Sequence, residues 1–214
     1  MRTLFYEKFR FRANDCNVFD VATSEDIEEL VEVYQNVKIT ENRIKTFDEK
    51  GGMFNALGKK EIIDILDDES SSILVVRKKG RIIALLWVSE SDPSFPKTME
   101  KGKTIYLRDI IVDDNSTEKI ALTLVQLAIR VAFSAGNIYS FAEIYKVISY
   151  NEGKERIVNM LNERSFSVAM SLGGEFVGTF ERKSIDVGAI KVLIEPQIIF
   201  FENENVLKST NEEV

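Results

Sequence analysis

The stretch Tyr106-Leu-Arg-Asp-Ile-Ile-Val-Asp-Asp-Asn-Ser-Thr-Glu-Lys-Ile-Ala121, which runs into the apolar residues 122–133, constrains the fold most. Its first half reads as a strand, Asp113–Asn115 as a tight polar turn, and residues 116–134 as a helix apolar nearly all round. A strand that turns straight into a buried helix belongs to a layered α/β arrangement. It also sets the free N–H groups of a helix start at a strand end, a geometry that receives anions. The turn has no glycine to let a phosphate approach, and Asp113, Asp114 and Glu118 crowd it with carboxylates.

The 214 residues suit one domain, and 44% apolar content supplies a core without disulfides or metals. The net charge of −7 argues against a nucleic-acid surface. There is no histidine, which excludes Ser–His and Cys–His nucleophiles, so acid–base work falls to carboxylates, tyrosines, lysines, the thiol or water. Cys16 stands alone and no long apolar run occurs, so a cytoplasmic protein that meets neither membrane nor nucleic acid is expected.

Residues 1–16 read as an N-terminal arm or extra strand, 17–201 as the main domain and 202–214 as an acidic, disordered tail. Thr23-Ser-Glu-Asp26 is a capping box before a helix with Ile27, Leu30, Val31 and Tyr34 on one face. A second helix is expected over Lys59–Asp67, and a hairpin over 72–88 closes at Lys79-Gly80. Further strands are expected over Thr104–Val112, 139–147, 175–181 and 191–201, with a helix over 156–172. Strand alternation puts Leu107, Asp109 and Ile111 on one face of their strand.

This order, with the strand–turn–helix and Asn162-Glu-Arg-Ser165 followed by Leu172-Gly173, resembles the GNAT superfamily of N-acetyltransferases over roughly residues 17–201. The resemblance implies an α/β (α+β) fold, a mixed, mainly antiparallel sheet with helices on both faces. It implies acetyl-CoA as co-substrate, its pantetheine arm along the backbone of Ile110, Ile111 and Val112. The diphosphate would lie on Ser116, Thr117, Glu118, Lys119, Ile120 and Ala121, where Ala121 matches the family turn. Ser116 and Lys119 depart from it, standing at a basic or amide position and a glycine position. Asn162 and Ser165 match the motif of the last helix, although both residues also suit a helix cap. Ala169 stands where the family has the tyrosine that protonates the departing thiolate.

Asp109 resembles the acidic residue on the corresponding family strand and is a candidate general base; an ion pair with Arg108 or Lys191 accounts for it equally. Glu90 and Glu143 are alternative bases, and Tyr145 is a candidate acid. The glycine-containing loop 51–58 would border the acceptor pocket, as a lid or as a plain surface loop. The expected activity is acyl-CoA-dependent N-acyl transfer to a small-molecule or peptide amine. The alternative is a GNAT-like binding module that has lost catalysis. A homodimer through an edge strand, 1–12 or 191–201, is also open.

Overall fold

The computed structural model describes residues 17–90, 104–113 and 118–209, together with Phe5, Lys8, Phe9 and the backbone of Phe11–Ala13. The chain orders β1 (Phe11–Ala13), β2 (Asn17–Val21), α1 (Ile27–Asn36), α2 (Phe47–Lys50), α3 (Lys59–Asp67), β3 (Ser71–Lys78), β4 (Arg81–Glu90) and β5 (Thr104–Val112). It continues through α4 (Glu118–Ser134), β6 (Tyr139–Asn151), β7 (Glu155–Leu161), α5 (Glu163–Ser171), β8 (Glu175–Thr179), β9 (Lys183–Val187), β10 (Ile190–Glu202) and α6 (Asn203–Ser209).

The capping box forms as read: the Thr23 amide donates to Asp26 at 2.8 Å and the Thr23 hydroxyl accepts from the Glu25 amide. Asp26 also meets Arg77 of β3 at 2.7 Å, which ties the start of α1 to the sheet. The α1 stripe then buries Leu30 and Tyr34 against Ile62, Ile65 and Leu66 of α3 and against Ile73, Val75 and Leu85 below. On the other face, Leu124, Ala128 and Ile129 of α4 pack with Ala169 of α5 and Val206 of α6. Helices therefore cover both faces of the sheet.

The sheet runs β1-β2-β3-β4-β5-β6-β10-β8, with β7 added to β6 and β9 to β10. Every pairing is antiparallel except β5 with β6. That parallel ladder stops early, with Leu107 opposite Ala142 as its last pair. Farther along, β7 takes over the same edge of β6 from Lys146 onward. Glu143, Ile144 and Tyr145 thus face no strand there, and β5 and β7 leave a fork between them.

A β-bulge shapes β5 before the fork. Trp87 pairs with Asp109 and Val88 with Leu107, so Arg108 is an extra residue with no partner on β4. The bulge breaks the expected alternation: Leu107 packs toward α4, whereas Ile111 packs under α1 and Asp109 bonds Tyr34 of α1.

Two other expectations are corrected. The first third of the helix expected over 156–172 is the strand β7. Val158 and Met160 alternate toward a third core with Ile44, Phe47 and Phe54, so the period there is two, not 3.6. α5 begins only at Glu163. The start of the supposed disordered tail is the helix α6, docked by Val206 and by Asn203. The Asn203 side chain accepts from the Ser140 hydroxyl at 2.6 Å and donates to the Asn137 carbonyl at 2.9 Å, with both Asn203 and Ser140 fully buried. Asn203→Ala strands these groups and is expected to lower stability by about 1–3 kcal/mol. An unshifted urea midpoint would show that α6 adds nothing to the fold.

Candidate active site

The fork opens into a cleft of about 170 Å³ that passes between the two helical faces. Asp109, Ile110, Ile111 and Val112 of β5 line one side, and Ala142, Glu143, Ile144 and Tyr145 of β6 the other. Ala121 and Val125 of α4, with Asn162, Ser165 and Ala169 around α5, close the side toward α4. Segment 37–53 adds Arg43, Lys50 and the backbone of Gly51 and Gly52 to the lining, with Gly51 lying against the Asn162 side chain.

The structure thus gathers Asp109, Tyr145, Ile110, Ile111, Val112, Ala121, Asn162 and Ser165 around one space, with Glu143 among them. It does not bring Glu90 there. Glu90 is exposed at the end of β4 opposite Ile105, where β5 and β6 are still joined. Ser116 and Thr117, with the side chain of Glu118, lie outside the described residues. Lys119 is exposed and Ile120 packs into the core, so neither lines the cleft.

Asn162 does cap α5: its side-chain oxygen accepts from the Ser165 amide at 3.2 Å. Its own amide donates to the Tyr145 carbonyl at 3.1 Å, which fastens α5 to the fork. Ala169 is buried, so no phenol stands at the family's tyrosine position.

Asp109 is the most perturbed carboxyl in the cleft. Burial pushes it up to about 6, aided by the nearby Glu143 carboxylate; the Tyr34 hydrogen bond and the Arg108 charge pull it back. The Tyr34 hydroxyl donates to Asp109 Oδ2 at 3.1 Å from the fully buried face of α1. Glu143 likewise accepts from the Tyr106 hydroxyl. Arg108 lies between the Trp87 and Tyr106 rings, 4.7 and 4.6 Å from their centroids, and its Nε donates to the Ser89 hydroxyl at 2.7 Å. Tyr145 packs edge-on against Phe54 at 5.9 Å. Burial, then Glu143 and Asp109, push its hydroxyl up to about 12, so it remains a proton donor at neutral pH.

Sequence reasoning missed Tyr34, Arg43 and Lys50. Tyr34 fell at a core position of an amphipathic helix, and the signal was its hydroxyl, which needs a partner when buried. The 51–58 loop is no free lid at its start. Met53 and Ile39 exchange backbone bonds with Val37 and Met53, and a Cβ on Gly52 (φ +141°) would come within 2.4 Å of Ile39.

The chain as a whole superposes on solved N-acetyltransferases. The N-acetyltransferase of Staphylococcus aureus Mu50 superposes with a TM-score of 0.60 at 15% identity, over 88% of this chain and 98% of that one. The chain has the GNAT fold. The GNAT domain of S. lividans PAT gives 0.55 at 15% identity, over 83% and 89% of the two chains. The ribosomal-protein-S18-alanine N-acetyltransferase of Escherichia coli gives 0.58 at 11% identity, over 86% and 92%. No family model matches the chain, and no curated protein matches it by sequence. In this chain β5 and β6 are the strands that part, and no helix among the described residues is long and apolar enough to cross a membrane.

Proposed function

We propose that the protein is an acyl-CoA-dependent N-acyltransferase that moves an acetyl group to a primary amine. The observation that carries this reading is the fork itself, an open strand edge with a buried carboxyl of raised pKa beside it. Acetyl-CoA would supply an acyl group activated as a thioester. Its pantetheine arm suits the free edge of Ile110–Val112, and the small Ala121, Ala142, Ser165 and Ala169 leave it room.

Asp109 is positioned to take the proton of an acceptor ammonium, because a base near pH 6 is ionised at neutral pH and still basic enough to help. Glu143, across the fork, is the second carboxylate available. Tyr145 is the donor available to the departing thiolate in place of the missing tyrosine at 169. Tyr34 holds Asp109. Tyr34→Phe removes a bond that favours the carboxylate, so the acid limb of the kcat/KM profile should move up by about one pH unit. An unmoved limb would remove Asp109 as the base.

The rival reading, a binding module without turnover, is favoured by Ala169. Release of free CoA thiol from acetyl-CoA with a panel of primary amines separates the two. Binding of acetyl-CoA with no amine-dependent release supports the module.

A further inference from the structure

Asp109 and Asp113 at the end of β5 and Glu143 of β6 bring carboxylates to the cleft lining, beside Arg108 of β5 and Arg164 of α5, while segment 37–53 contributes Arg43 and Lys50 and no carboxylate. Arg108 is already held by the Trp87 and Tyr106 rings and the Ser89 hydroxyl. In a chain with 35 acidic against 28 basic residues, unpaired cations are worth explaining. Elsewhere the described cations are often paired: Lys45 with Glu152 at 2.8 Å, Arg77 with Asp26, Arg182 with Glu195. Lys45 is the instructive one. It shares the segment with Arg43 and Lys50 but does not line the cleft, and it has a carboxylate.

Arg43 and Lys50 have none among the described residues. Arg43 is instead fixed by neutral groups: Nε donates to the Gly51 carbonyl at 3.3 Å and Nη1 to the Asn36 carbonyl at 3.0 Å. That leaves Nη2 of a held guanidinium without a protein acceptor among the described residues. Lys50 is exposed and makes no bond or ion pair within them. The segment is a poor candidate for a movable flap, since Ile44, Phe47 and Phe54 anchor it in the third core.

We infer that this segment reads an anionic group on the acceptor, which is a small molecule carrying both an amine and a carboxylate or phosphoryl group. The amine faces Asp109 and Glu143, and the anion faces Arg43 and Lys50. The phosphates of CoA are the competing occupant, since Gly51, next to Lys50, lies against the Asn162 side chain at the start of α5, and the arms with saturating CoA distinguish the two. The word acceptor rests on the transferase reading; the anion site can be tested without transfer.

The test is calorimetric titration of the full chain with four amines, β-alanine, aminoethyl phosphate, propylamine and putrescine, each with and without saturating CoA. The two anionic amines are expected to bind about 10- to 100-fold more tightly than the other two. CoA should not displace them, and Arg43→Gln and Lys50→Gln should each shrink the preference. The ratio of β-alanine to aminoethyl phosphate then assigns the anion. Lys50→Gln keeps the test readable if Arg43→Gln loosens the Gly51 loop, because the Lys50 side chain is exposed and makes no hydrogen bond or ion pair among the described residues. Equal binding of all four, binding of none, displacement by CoA, or a preference that survives both substitutions would overturn the inference. A preference retained by a protein that does not bind acetyl-CoA would sink the transferase reading and leave the anion site standing.

Discussion

Asp109→Asn is expected to unfold at a higher temperature than the parent protein at pH 8, while acetyl transfer falls by about 10²–10⁴-fold. The carboxyl is held at about 6 against an ordinary 3.8. Between those pH values the native state binds more protons than the unfolded chain, so this group's contribution falls as pH rises from 3.8 to 6 and stays low above that. The difference, about 6 less 3.8, sets a ceiling of about 3 kcal/mol, and partial exposure to the cleft brings the measured value below it. Asparagine is neutral and still offers an oxygen to the Tyr34 hydroxyl, so it escapes that cost without stranding Tyr34. Melting curves at pH 8 and pH 4 check the sign: the variant's advantage should be present at pH 8 and gone at pH 4. An equal difference at both would mean that Asp109 is not buried as a charge.

Ala142→Phe should abolish acetyl-CoA binding by at least about 100-fold with little change in the melting temperature. Ala142 is the last residue of β6 that β5 still pairs, and it lines the apex of the fork. A phenyl ring at that point fills much of a cleft of about 170 Å³. Ala142 is half-buried, lining the cleft while also packing on the core under α4, so the ring has cleft to enter and the cost to the fold is small rather than zero. Normal binding by a folded Ala142→Phe protein would move the co-substrate site away from the fork.

Elements with an unbroken period and a local punctuation mark were legible in the sequence. Thr23 and Asp26 announced α1, Lys79-Gly80 closed the β3–β4 hairpin with both residues at positive φ, and Lys59–Asp67 and Thr104–Val112 fell at their expected limits. What escaped was long-range. β7 carries apolar residues at Ile157, Val158, Met160 and Leu161 that satisfy a helical spacing as well as a strand one, and only the free edge of β6 decides between them. The Arg108 bulge has no mark of its own in β5, yet it turns Asp109 toward Tyr34. Glu90 and Glu143 looked alike as strand carboxylates; only the point where β5 leaves β6 separates them. Arg43 and Lys50 sat in an irregular polar stretch where charge alone says nothing about which cations lack partners.

The central claim is that the fork between β5 and β6 holds an acyl-CoA thioester. Calorimetric titration of the full chain with acetyl-CoA, with Ala142→Phe alongside, tests it most directly. One saturable site with a Kd of about 1 μM to 1 mM, lost in the variant, is the expected result. No heat and no rise in melting temperature at millimolar acetyl-CoA would contradict it.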